Sequence, residues 1–296
     1  MLSIYQAIDS HCHLQLAAYD ADREALIEKC RESGIGVIVV GTNKETSAAA
    51  VALAEAYDGG VWASIAVHPG HVHAPHHDPQ EVAAPPEEEF FEESFFASLS
   101  VSDKVVAIGE TGLDYYRLAE TPGHSINAIK ARQQENFLAH LVFAKKKKLP
   151  LIMHVRDSGD SSAYNDALRI LRGEYGDTVP GVMHCFGGST DDAQKCLALG
   201  LHLGIGGIVT FPPRKTQTEN PLAEIVRSMP LDRLLIETDA PYISPLPKRG
   251  ERNEPVNVLI IAQKVAELRG VSSDDIQRKT AENAICLFNL AQSQKP

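Results

Sequence analysis

The chain has 296 residues, 44% of them hydrophobic, enough for one large domain or two small ones with a sizeable core. Its 28 basic and 39 acidic side chains leave a formal net charge of −11, which argues against a protein that coats duplex nucleic acid with a broad basic surface. The same acidity is compatible with a small phosphate-bearing substrate held through metal ions, because bound cations can be the largest local charges in a site.

Strand-like and helix-like segments alternate along the chain. Residues 6–13 read as a strand, 20–33 as a helix through Leu26, Ile27 and Cys30, and Gly36–Val40 as a second strand. An Ala-rich helix over Thr46–Tyr57 precedes a strand at Val61–Val67. Phe90–Ser98 reads as a helix, followed by Val105–Gly109, a strand that ends in Glu110. Ile126–Lys147 is expected to be a long helix, its Lys145–Lys148 end a solvated cap that favours the helix dipole. Apolar runs then end at His154, His184, Gly204 and Asp239, separated by helices over Ser161–Tyr175, Thr190–Leu199 and Asn220–Ser228. Val256–Arg269 and Ser273–Leu290 close the chain as helices. His71–Glu93, rich in His, Pro and acids but without a period, reads as an exposed insertion. Nothing approaches the roughly 18 apolar residues of a membrane span. Residues 1–6 lack the pattern of a secretory leader, and Cys12, Cys30, Cys185, Cys196 and Cys286 are odd in number without CxxC spacing. A cytoplasmic protein with reduced thiols, with no membrane partner and most simply a monomer, is the expectation.

Eight strands, each followed by a helix or helical turn, imply an α/β fold with a parallel sheet, and the count favours a closed (β/α)8 TIM barrel over residues 1–296 as a single domain. The chemistry-bearing residues strengthen that choice. Period-two alternation places Asp9, His11 and His13 on one face of the first strand and Ser10 and Cys12 on the other. Two neighbouring imidazoles can grip one divalent ion, with Asp9 below them to orient a ring. Glu110, His154, His184 and Asp239 each end a further apolar run. Only closure brings strand 1 beside strand 8, and active sites of such barrels lie at the C-terminal strand ends. His11, His13 and Asp239 are therefore expected to hold one ion, and Glu110, His154 and His184 a second, with Glu110 able to bridge the two. Mixed imidazole and carboxylate ligation suits Zn²⁺, Mn²⁺ or Fe²⁺, and Mg²⁺ with water completing its shell. Two such ions activate water and stabilise both oxygens of an in-line displacement. Asp239 is the candidate base and Glu110 its catalytic partner. The glycines of 203–207 lack a phosphate-loop lysine and read as a close-packed strand end.

Six ordered stretches carry a resemblance. Asp9-Ser10-His11-Cys12-His13-Leu14, Gly109-Glu110-Thr111-Gly112-Leu113-Asp114-Tyr115-Tyr116 and His154-Val155-Arg156 are the first three. His184-Cys185-Phe186-Gly187-Gly188, Glu237-Thr238-Asp239-Ala240-Pro241-Tyr242 and Arg252-Asn253-Glu254-Pro255 follow. Together they resemble the signatures of the TatD-related deoxyribonucleases, metal-dependent hydrolases of the amidohydrolase type. The resemblance implies a barrel with up to two divalent ions (Mg²⁺, Mn²⁺ or Zn²⁺) that hydrolyses phosphodiesters, usually as a 3′-to-5′ exonuclease on single-stranded DNA and sometimes on RNA. It implies the same six metal ligands and gives His68, at the mouth of strand 3, as a substrate contact. Family members often carry a histidine directly after that His-Pro pair, whereas Gly70 intervenes here before His71. Arg156, Arg249 and Arg252 are expected to contact phosphate, unless Arg252 pairs with an acid such as Glu254. Tyr115 and Tyr116 are candidates to stack a terminal base, one of them being expected to pack on the barrel rim instead. Attack on carbon by the same site, as in an ester, amide or aminoacyl-tRNA hydrolase, is the alternative that the ligands alone leave open.

Overall fold

The computed structural model describes residues 5–73, 88–116, 118–119, 124–157, 160, 162–213 and 218–290. Eight parallel strands follow one another around a barrel: β1 (Ala7–Cys12), β2 (Ile35–Val40), β3 (Val61–Ile65), β4 (Val105–Asp114), β5 (Leu151–Arg156), β6 (Gly181–Met183), β7 (His202–Ile205) and β8 (Leu234–Ile236). The last seam is closed beyond β8 itself. Asp239 N–H donates to the His11 carbonyl at 2.9 Å and His13 N–H to the Ala240 carbonyl at 2.8 Å, so the segment after β8 pairs with the end of β1. The fold is the (β/α)8 barrel expected from the alternation.

The helices are α1 (Arg23–Glu32), α2 (Lys44–Glu55), α3 (Glu93–Leu99), α4 (Ile126–Lys147), α5 (Ser162–Tyr175), α6 (Thr190–Ala198), α7 (Pro221–Ser228), α8 (Val258–Arg269) and α9 (Ser273–Phe288). Their starts follow local chemistry. Asn43 and Thr46 form a reciprocal capping box at α2, Ser189 and Asp192 another at α6, and the Ser125 and Ser272 hydroxyls cap α4 and α9. Lys148, in a left-handed conformation, ends α4, and Lys145 and Lys146 pair with Glu174 and Glu93, as a solvated cap should.

Two apolar layers result. Ile8, Ile38, Val40, Trp62, Val106, Ile152, Val182 and Leu235 fill the barrel interior, and Ala281, Ala284 and Phe288 of α9 close its N-terminal mouth. The larger layer lies between strands and helices. With the interior plugged below, polar groups that face inward at the other end meet there.

Three register shifts shape this end of the barrel, one on β1 and two on β4, the first of the two where Ala63 pairs with Val105 but Ser64 with Ala107. Asp9 pairs with Val37 but Cys12 with Val39, so three steps on β1 oppose two on β2. Ile108 pairs with Leu151 but Thr111 with Met153, a matching irregularity on β4. Such bulges re-aim side chains next to active sites. Strict alternation therefore fails at β1: Ser10 and His11 both turn inward, whereas Asp9 and Cys12 turn to the outer layer. On β4 pairing resumes after the bulge and runs to Asp114↔Arg156, so β4 does not end at Glu110 as expected but four residues later.

The expected exposed insertion is partly docked. Pro69–Val72 forms a 3-10 turn with His71 and Val72 buried, and Arg132 holds the Val72 carbonyl and Glu88. Phe91 stacks on Phe96 and packs on His140, which anchors the far end of the segment. The middle of that stretch lies outside the described residues.

Candidate metal centre

Glu110 stands at the hub of the C-terminal mouth. Its Oε2 lies 3.3 Å from His11 Nε2 and 3.8 Å from His13 Nε2. Its Oε1 lies 2.8 Å from His154 Nδ1, 3.0 Å from His184 Nε2 and 3.5 Å from His68 Nε2. Asp239 Oδ1 completes the first group, 3.4 Å from His13 Nε2 and 3.7 Å from His11 Nε2. One carboxylate thus offers a different oxygen to each of two imidazole sets. All six expected ligand positions converge, with His68 beside them.

The ring orientations show which nitrogens face the centre. His13 Nδ1 donates to the Val40 carbonyl at 2.7 Å, which leaves Nε2 with the lone pair. His154 Nε2 is held by Asp114 Oδ2 at 3.1 Å, so Nδ1 is its inward nitrogen. His184 Nδ1 sits 3.3 Å from Glu237 Oε1, leaving Nε2 inward. An acceptor behind the ring is the usual support of a metal-binding histidine, because it fixes the tautomer and raises ligand basicity. His11 lies stacked on His184 with centroids 3.8 Å apart, and its Nε2 is 3.1 Å from that of His13. Lone pairs and carboxylates gathered this closely in a buried space call for cations, and the donor set suits Zn²⁺ or Mn²⁺. The residues present fit divalent ions.

Electrostatics agree. Burial pushes the Glu110 carboxyl up, but His184, His68 and His11 outweigh it and hold the group well below its usual range. Asp239 is likewise raised by burial and lowered more by His13, His184 and His11, so it is a carboxylate. Burial opposes a charge on His154, yet Asp114 and Glu110 raise it to about 9. Without metal, that ring carries the positive charge that an ion would replace. His68 is held down by burial and by His154, and its Nδ1 accepts the Gly70 N–H at 3.0 Å. A neutral ring accepting at Nδ1 carries its proton on Nε2, so His68 presents a donor to the mouth and not a lone pair.

Asp239 sits in a left-handed conformation, φ 55°, just past β8. The fully buried Asn253 amide holds that turn by donating to the Thr238 carbonyl at 2.9 Å and the Tyr242 carbonyl at 2.7 Å. Asp9 does not orient a histidine ring: facing outward, it accepts from Thr238 Oγ1 at 2.5 Å and Thr238 N–H at 2.9 Å, and so ties β1 to the turn before Asp239.

The remaining expected contacts divide. Arg156, at the exposed end of β5, stacks on Tyr116 at 4.0 Å, two residues beyond His154. Arg249 stacks on Phe211 at 4.6 Å. Arg252 is instead bound by Asp22, at 2.9 and 2.5 Å, and lies on Tyr19; its acidic partner is not Glu254, which pairs with Lys29. Tyr115 does not face the mouth. It is buried under α4 and α5, where its hydroxyl meets Asp166 at 3.1 Å and Gln134 at 2.8 Å, because β4 continues past Glu110 and its alternation turns that ring outward.

Asp114 and Glu237 were not anticipated. Asp114 follows Glu110 by four residues, within the second quoted stretch. Glu237, buried among His184, Ser10 and the Cys185 N–H, interrupts an apolar run two residues before Asp239. Gly204 makes room for it: a Cβ there would lie 2.4 Å from Glu237 Oε2.

Comparison with known proteins fixes the lineage. The family model for TatD related DNase matches residues 8–289. The chain belongs to the TatD-related DNase family. It is 37% identical to the uncharacterized metal-dependent hydrolase YabD of Bacillus subtilis over 283 residues, 95% of this chain and 98% of YabD. To the 3′-5′ ssDNA/RNA exonuclease TatD of Erwinia amylovora it is 34% identical over 290 residues, 95% and 99% of the two chains. Among solved structures, the TatD homolog YJJV of Escherichia coli K12 superposes with a TM-score of 0.77 at 28% identity, covering 97% of this chain and 99% of that one. Membership makes this TatD-family barrel a metal-dependent hydrolase. Among the described residues no helix is long and apolar enough to cross a membrane.

Proposed function

We propose that this chain is a two-metal phosphodiesterase that trims single-stranded DNA ends, and RNA ends, from 3′ to 5′, acting in the cytoplasm as a monomer. The observation that carries the reading is Glu110, whose two oxygens face two separate histidine sets. The exonuclease names of relatives such as that of Erwinia amylovora support the choice of phosphodiester over carbon ester. Bound at these ligands, two divalent ions supply Lewis acidity toward the phosphoryl oxygens and an acidified water.

The chain's own groups do the rest. Asp239, held as a carboxylate, takes the proton of the attacking water. His68 donates from Nε2 to a non-bridging phosphoryl oxygen, an interaction that strengthens as charge builds there. Arg156, stacked on Tyr116 at the rim, engages the next phosphate of the strand. The few cations at the mouth of an otherwise acidic protein suit a strand end better than a long duplex footprint.

The test uses metal-stripped protein, 5′-labelled single-stranded DNA, and Mg²⁺, Mn²⁺ or Zn²⁺ added separately. A ladder shortening from the 3′ end is expected, absent without metal and reduced at least about 100-fold in Asp239→Ala. Intact DNA under every metal refutes the reading and moves the assignment to esters, amides or aminoacyl-tRNA.

A further inference from the structure

A cavity of about 610 Å³ opens beside the metal centre, between the segment after β7 and the long segment after β8. Phe211, Pro241, Tyr242, Ile243, Arg249 and Glu251 line it. Its inner wall is continuous with the centre: Tyr242 N–H donates to the Asp239 carbonyl at 2.8 Å, and the Tyr242 ring stands edge-on to His13 with centroids 6.0 Å apart. Its outer wall carries a guanidinium laid on an aromatic face, Arg249 on Phe211. Among the described residues Arg249 forms no ion pair, whereas Arg252 beside it is bound by Asp22.

We infer that this cavity is a nucleobase subsite, taking the base of the nucleotide attached to the scissile phosphate. The inference rests on the phosphodiesterase reading and adds a substrate determinant to it. Aromatic faces and a planar cation suit any base, because every base has a π-face. Glu251 on the rim disfavours a phosphate in the cavity and offers an acceptor to the N–H edge of a base. The phosphodiester stays at the metal ligands while the base fills the pocket.

The experiment compares two chromogenic phosphodiesters with the same leaving group, methyl p-nitrophenyl phosphate and thymidine p-nitrophenyl phosphate. Wild type, Phe211→Ala and Arg249→Gln are loaded with the working metal. Wild type is expected to prefer the thymidine ester by about tenfold or more in kcat/KM, and Phe211→Ala to lose most of that preference with methyl ester turnover unchanged. Equal turnover of the two esters by wild type, or equal losses on both in the variants, overturns the subsite and leaves the phosphodiesterase reading standing. Turnover of neither ester under any metal sinks the phosphodiesterase reading itself. The subsite is then decided by binding: a 3′-terminal 2-aminopurine in single-stranded DNA is quenched by wild type and not by Phe211→Ala if the pocket takes a base, and unquenched by wild type if it does not.

Discussion

Acidification from pH 7 to pH 5 should weaken the fold through His140, a fully buried residue of α4 behind the strand 3 mouth. Its Nδ1 donates to the Asn136 carbonyl at 2.7 Å and its Nε2 accepts the Val67 N–H at 2.9 Å, so the native ring is neutral with a fixed tautomer. Burial pushes its pKa down from 6.5 to about 4, the backbone contact offsetting only part of this. A depressed histidine contributes its full stability above the unfolded value and loses it as pH falls toward the folded one, because the unfolded chain takes up the proton first. With 6.5 and about 4 as the two values, the loss between pH 7 and pH 5 is about 2 kcal/mol. Urea unfolding of metal-free wild type and His140→Gln at pH 7, 6 and 5 measures it. Glutamine offers an acceptor and a donor but takes up no proton, and every other titrating group is common to both proteins. The variant should be less stable at pH 7, yet its stability should fall by about 2 kcal/mol less on acidification. Parallel pH profiles would refute a neutral, buried His140.

Asp114→Asn should weaken metal binding about 10- to 100-fold, since it removes the carboxylate behind His154; titration calorimetry with Zn²⁺ or Mn²⁺ reads this, and unchanged affinity rejects the role. Gly204→Ala should destabilise by about 1–3 kcal/mol and depress turnover, because its Cβ displaces the buried Glu237 from His184. A wild-type melting temperature and rate for that variant would show that the cradle yields freely. Arg252→Ala should cost no more than about 1 kcal/mol and leave kcat/KM on DNA unaltered, its guanidinium being held by Asp22 in a half-exposed pair. A tenfold loss of kcat/KM at unchanged stability would return Arg252 to the substrate.

The barrel and the convergence of the six candidate side chains are legible because each depends on a pattern that a linear chain displays: apolar runs of strand length, each ended by a metal-type residue. What was hidden depends on departures from regularity. A period of two does not foresee the bulge after Asp9, and so it gives Asp9 a ring to orient, whereas Asp9 holds Thr238. The continuation of β4 to Asp114 is equally hidden in the linear pattern, and its regular alternation beyond Glu110 keeps Tyr115 on the outer layer. Arg252 shows a different limit. Its partner Asp22 lies 230 positions away, and only closure of the barrel brings α1 and the segment after β8 together.

The bulge on β1 and the two unanticipated acids form one device. The bulge turns His11 inward where regular pleating from Ile8 would point it to the helices, while Glu110 on β4 keeps the inward parity of Val106, and the two come within 3.3 Å of each other from strands separated by two others. An inward cluster of imidazoles then needs fixed tautomers, and a barrel interior offers few acceptors. Asp114, delivered by the resumed register of β4, and Glu237, admitted by the missing side chain of Gly204, supply them for His154 and His184. The irregular backbone and the buried acids are therefore the two halves of the same requirement, to present lone pairs from several strands to one small space and hold them there.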